Sequence, residues 1–209
     1  RPLQRLQALG LLSPAMLAVH MTQLTDDEIS LFAAGGGHVV HCPESNLKLA
    51  SGLCPAHALT VAGVKDALGT DGAASKNDLD MLGEIRTAAL LGKAVSNDAS
   101  ALPAHVALQM ATLNGARALG IDAETGSLAR GKWADLAAIR LDTIETQPVY
   151  DPVSQLVYAS GREQVTDVWV AGQHLLKDRR LTTLDGTDIL ERTRDWQARI
   201  SNTEDSTNS

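Results

Sequence analysis

Val64-Lys65-Asp66-Ala67-Leu68-Gly69-Thr70-Asp71-Gly72-Ala73-Ala74-Ser75 is the stretch that decides the fold. A short apolar run reaches a turn, and the turn opens on an acid followed by glycine. In (β/α) barrels the C-terminal tip of a strand is where catalytic groups stand. Two earlier apolar runs end on histidine in the same way: Ala15-Met16-Leu17-Ala18-Val19-His20 and His38-Val39-Val40-His41. The three polar ends lie one βα unit apart from each other, which implies a parallel sheet. Together they point to a metal-hydrolase type of site, and to one that is incomplete within these residues.

Working outward, the remaining elements follow from caps and periodicity. Residues 15–20, 38–42 and 64–69 read as strands. Thr25-Asp26-Asp27-Glu28 is a capping box, and the helix it opens is expected to stop at Gly35-Gly36-Gly37. A helix over 55–63 has Pro55 in its first turn. Ser45-Asn46-Leu47-Lys48-Leu49 reads as a loop, because short polar side chains hold turns. A helix over 78–95 follows, with Asn77 or Asp78 as its expected cap. Two more helices fit 103–112 and 113–119. The pattern then changes to turn and strand around Gly131-Lys132-Trp133-Ala134-Asp135-Leu136, and to a hairpin turning near Gly172. The expected organisation is a partial barrel over 1–122, a β-rich part over 123–185, a helix over 186–200 and a disordered polar tail over 201–209.

Composition narrows the class. The chain has 209 residues, 44% of them hydrophobic, enough for a substantial core. No apolar run nears the ~20 residues of a membrane span, and no signal-peptide pattern is read, so neither membrane nor export is expected. A net charge of -7 argues against a nucleic-acid partner, and 3% aromatic residues argue against a base-stacking platform. Cys42 and Cys54 are too few for a disulfide framework and read as buried thiols of a cytoplasmic protein.

Asp71 with a nearby histidine suits a divalent metal that activates water, the carboxylate taking up and redelivering a proton. Thr-Asp-Gly is equally ordinary turn chemistry. A single histidine at a strand end, such as His20, is more often a hydrogen-bonded structural residue than a ligand, but its match with Asp71 raises the functional reading. His41 precedes Cys42-Pro43 and either faces the site or holds the following loop. Ser45, Asn46 and Ser75 either line the mouth of the barrel or hold turns. His57, His105 and His174 read as structural or solvated.

His41-Cys42-Pro43-Glu44-Ser45-Asn46-Leu47-Lys48-Leu49-Ala50-Ser51-Gly52, Leu68 to Ser75 with Asn77-Asp78-Leu79-Asp80-Met81, Met110 to Gly120 and Gly126 to Leu136 together resemble the amidohydrolase superfamily. Within its TRZ/ATZ branch, the sequence is most similar to the 5-methylthioadenosine/S-adenosylhomocysteine deaminases. The resemblance implies a distorted (β/α)8 barrel with a small β-sandwich, one divalent metal (zinc), a small nucleoside substrate and a homo-oligomeric intact enzyme. It makes Asp71 the eighth-strand metal ligand and proton shuttle. It makes His20 the sixth-strand contact to the reacting centre, and His41, Ser45, Asn46 and Ser75 substrate-pocket positions alongside Asp71.

The resemblance also has gaps. The family's first-strand His-x-His, its fifth-strand histidine and the glutamate after that histidine have no match here. A mononuclear site needs about three protein ligands. The chain is therefore expected to hold strands six to eight of a hydrolase about twice its length, and to be inactive alone. Guanine deamination, s-triazine or chlorohydrolase chemistry, and a non-catalytic binding domain are the alternatives.

Overall fold

The computed structural model describes residues 1–207. Its first half alternates strand and helix: α1 (Pro2–Ala8), β1 (Leu17–Val19), α2 (Asp26–Gly35), β2 (His38–His41), α3 (Pro43–Lys48), α4 (Ala56–Val61), β3 (Lys65–Leu68), α5 (Ala73–Lys76) and α6 (Met81–Ser96). Helices α7 (Ala104–Met110) and α8 (Leu113–Ala118) follow. After them come β4 (Leu136–Ile139), α9 (Pro152–Ala159), β5 (Val165–Val170), β6 (Gln173–Lys177), β7 (Arg180–Leu181) and α10 (Gly186–Thr207).

Strands β1, β2 and β3 form a parallel sheet with β2 in the middle, in a register that puts Val39 opposite Ala18 and Asp66. All three C-terminal ends therefore lie on one side, as the polar strand ends required. Gly69 allows the end of β3 to close on β2, since a Cβ there would stand 3.0 Å from Val40 Cγ1. Strands β4 to β7 form a separate antiparallel meander, and β5 and β6 turn at Ala171 and Gly172, both at positive φ.

The capping box is present as read. Thr25 Oγ1 accepts from the Glu28 amide at 3.4 Å, and Glu28 Oε2 accepts from the Thr25 amide at 3.2 Å. The helix closes on Gly36 in the left-handed region, φ 73°. Phe32 of this helix is buried with Val39, Leu59, Ile85, Met110 and Val157 in one core that lies against the sheet. On the opposite face Leu17 and Val19 are 42% and 49% exposed. Strand β1 thus shows water an apolar face and an unpaired edge.

Four expectations change. Residues 45–49 are not a loop: α3 covers most of them, started by Pro43 at its first turn, where a missing amide costs nothing. Helix α6 is capped by Asp80, which accepts from the Leu82 amide at 3.0 Å. Asn77 instead sits at φ 78° at the end of α5. Helix α9 arises inside the stretch read as β-rich. Pro152 and the Asp151 cap start it, and its Val157 is fully buried in the core of the first part. Finally, α10 continues through Thr207, because residues 201–207 contain no glycine or proline to stop it. Only residues 208 and 209 of the expected tail lie outside the described residues.

Candidate functional site

Two strand ends converge. His20, one residue past β1, continues the ladder by donating its amide to the Val40 carbonyl at 3.0 Å. It then leaves the sheet at φ 71°, followed by Met21 at φ 47°. Asp71, three residues past β3, also has positive φ, at 58°. Left-handed backbone is costly for residues with a Cβ and persists where the surroundings hold it. Here it turns both side chains across the end of β2, so that His20 Nε2 and Asp71 Oδ2 stand 3.9 Å apart. That is too far for a direct hydrogen bond. Both side chains are partly open to solvent.

Helix α3 lies beneath the pair. The Ser45 hydroxyl donates to Asp71 Oδ2 at 2.8 Å, and Asn46 Oδ1 lies 2.8 Å from His20 Nδ1. The Gly72 amide donates to Asp71 Oδ1, also at 2.8 Å. The Ser45 hydroxyl first, then the Gly72 amide, hold the Asp71 carboxyl below the usual carboxylate range. The group is ionised at neutral pH.

Of the expected site residues, His20 and Asp71 face each other. Ser45 and Asn46 are buried at 1% and 2% exposure and turn their polar atoms inward, because α3 packs them under the site. His41 is equally buried, beside Asn46 on a narrow cavity bordered by Leu53 and Leu91. Burial, and then the proximity of His20, push His41 down to about 4, so its ring is neutral. Ser75 is half-buried and donates to the Gly72 carbonyl at 2.7 Å, closing the turn that carries Asp71. His57 and His105 sit on α4 and α7, away from the strand ends.

Sequence reasoning missed the group that braces this loop. The Lys76 ammonium, at the end of α5, contacts Glu44 at 2.6 Å, Glu84 at 2.8 Å and Asp78 at 3.2 Å. Burial opposes the lysine charge, but the carboxylates of Glu44, Glu84 and Asp78 outweigh it and hold Lys76 above the ordinary lysine range. Nothing local in the sequence joins Glu44 to Lys76. Asp66 was legible as an acid inside an apolar run. Burial pushes it up to about 8, and one of its oxygens has no partner among the described residues.

The donor chemistry suits one face of a divalent-metal site. An ionised carboxylate and an imidazole nitrogen approach each other without bonding. No group of three or more His, Cys, Asp or Glu among the described residues is arranged to hold an ion. A mononuclear centre takes about three protein ligands, more than this pair alone offers.

Strand ends, site and core define a parallel α/β hydrolase-type scaffold, and the comparisons agree. The chain belongs to the amidohydrolase family, whose model matches residues 1–175. It is 54% identical over 200 residues to a 5-methylthioadenosine/S-adenosylhomocysteine deaminase of Teredinibacter turnerae, covering 96% of this chain and 45% of that protein. The corresponding deaminase of Saccharophagus degradans is 50% identical, again with 96% and 45% covered. Among solved structures, an adenosine deaminase from Xanthomonas campestris with bound zinc superposes with TM-score 0.94 at 56% identity, over 97% of this chain and 46% of that one. Atrazine chlorohydrolase from Arthrobacter aurescens TC1, complexed with zinc, gives 0.85 at 30% identity, over 93% and 43%. The chain spans less than half the length of the relatives it matches.

Proposed function

We propose that this chain is the C-terminal portion of a metal-dependent aminohydrolase acting on the adenine base of 5-methylthioadenosine or S-adenosylhomocysteine. In this reading β1, β2 and β3 are strands six to eight of a (β/α)8 barrel, and the antiparallel sheet is the C-terminal share of a small sandwich. The observation that carries it is the ionised Asp71 carboxylate facing His20 Nε2 across 3.9 Å at the ends of parallel strands. The identity to the deaminases supports the substrate class. The zinc in the adenosine deaminase supports one divalent ion, zinc, with Asp71 as this chain's ligand.

A bound divalent ion would supply a water whose pKa lies near neutrality. Asp71, kept ionised by Ser45 and Gly72, accepts a proton as the water oxygen adds to the amino-bearing carbon. It returns that proton to the amine, the C–N bond breaks, and ammonia leaves. His20 presents Nε2 to the same space and orients the attacking oxygen. The buried, neutral His41 and the Ser75 turn complete the pocket wall. The remaining ligands come from outside this chain, so the chain by itself should not turn over.

The resemblance to the chlorohydrolase favours a second reading, s-triazine hydrolysis on the same site. The deciding experiment is a spectrophotometric assay of the full-length protein with zinc, against 5-methylthioadenosine, S-adenosylhomocysteine, guanine and atrazine. Adenine deamination with kcat/KM at least about tenfold above the others upholds the proposal. Preference for the triazine, or no reaction with either nucleoside, overturns it.

A further inference from the structure

Residues 44, 45 and 46 follow one another on α3, and each addresses a different element. Glu44 reaches Lys76 on the segment behind Asp71. Ser45 reaches Asp71, and Asn46 reaches His20. The middle strand thus delivers one short helix that touches the structures carried by both flanking strands. Ser45 and Asn46 are almost fully buried, so water does not compete for their bonds.

We infer that Ser45 and Asn46 are the positioning residues of this site. Ser45 fixes the Asp71 carboxylate, and Asn46 holds the His20 ring with its proton on Nδ1, leaving the Nε2 lone pair turned towards Asp71. The inference rests on the deaminase reading and adds to it the origin of the site's geometry.

Two observations support the tautomer. An amide oxygen only accepts, so with Asn46 Oδ1 on the ring at 2.8 Å, an orientation that leaves its buried Nδ2 without a partner among the described residues, His20 Nδ1 carries the hydrogen. Further, a hydrogen on Nε2 would draw the Asp71 carboxylate into a charge-assisted bond shorter than 3 Å. The two atoms instead stand at 3.9 Å, with no direct hydrogen bond between them. The reversed amide, with Asn46 Nδ2 on the ring, would place the proton on Nε2 and leave that gap unexplained. Ser45 and Asn46 lie buried beneath Asp71 and His20. They act through Asp71 and His20, as the outer partners of metal ligands and catalytic groups commonly do.

The test uses the zinc-loaded full-length protein with 15N-labelled histidine, the His20 ring being assigned by its loss in His20→Gln. Long-range 15N–1H spectra should show Nδ1 protonated and Nε2 bare in the wild type. In Asn46→Leu that pattern should be lost. Ser45→Ala and Asn46→Leu should each lower kcat about 10–100-fold with KM for 5-methylthioadenosine within about threefold. Ser45→Thr, which keeps the hydroxyl, should recover most of the loss. A wild-type ring protonated on Nε2 overturns the assignment of Asn46, and this needs no variant to fold. A Ser45→Ala enzyme with unchanged kcat, or a Ser45→Thr enzyme no better than a folded Ser45→Ala, overturns that of Ser45. Should the wild type deaminate neither nucleoside, the functional proposal falls, while the tautomer spectrum still judges the positioning of His20.

Discussion

The molecule contains two histidine–aspartate pairs, and they are built differently. In the antiparallel sheet, His174 Nε2 and Asp167 Oδ1 are 2.9 Å apart on adjacent strands, and the imidazole stacks on Trp169 with ring centroids 4.2 Å apart. The pair is local in sequence, satisfied and closed. At the parallel strand ends, His20 and Asp71 stand 3.9 Å apart, each held from below by another residue and each on left-handed backbone. The first pair uses its hydrogen-bonding capacity internally. The second keeps it for something else. The difference lies in what each pair leaves unspent, since the residue types are the same.

The largest expected effect breaks the open pair. In the full-length protein, Asp71→Asn should lower kcat about 10²–10⁴-fold, because the proposal makes this carboxylate the proton acceptor. Asp167→Asn, measured in the same assay, should stay within about twofold of wild type. Next comes the bracing group. Lys76→Met strands the Glu44, Glu84 and Asp78 carboxylates and should cost about 3 kcal/mol in urea unfolding.

A smaller effect concerns Asp66, behind the sheet. In the unfolded chain an aspartate titrates near 4, but burial pushes Asp66 up to about 8. Between those values the unfolded state releases a proton that the folded state keeps, so stability falls as pH rises through the window. Asp66→Asn should therefore melt higher than wild type, by a margin that widens from pH 5 to pH 8 in a calorimetric series. The smallest effect closes the comparison: His174→Ala should shift the melting temperature by no more than about 3 °C and leave kcat unchanged.

What could be read in the sequence follows the range of the forces involved. The strands and the placing of His20 and Asp71 at their tips were legible, because alternating βα units and polar strand ends are local patterns. The Thr25 cap and the Gly36 stop were legible for the same reason. Helix α3 was not, because Ser45 and Asn46 carry turn propensity that packing overrides once Pro43 starts a helix. The contacts of Ser45 with Asp71 and of Asn46 with His20 join residues from different strands, and no propensity reports them. Likewise Asp80 displaced Asn77 and Asp78 as the cap of α6. Asn77 had been drawn into closing α5 and Asp78 into Lys76 and Arg162.

Arg86 and Arg162 reach across between the two halves of the chain. Arg86, two residues beyond Glu84, donates to the Val157 and Ser160 carbonyls at 3.4 and 2.5 Å. Arg162 donates to Asp78 at 3.1 Å, just past the segment that carries Asp71. A recombination experiment that swaps everything after residue 122 for a relative's sequence would therefore not exchange an independent module. It would replace the partners that hold the loop of Asp71 from outside. A chimera would keep the Asp71 loop in place only where the incoming segment brings its own arginine at that position and a helix end for Arg86 to grip.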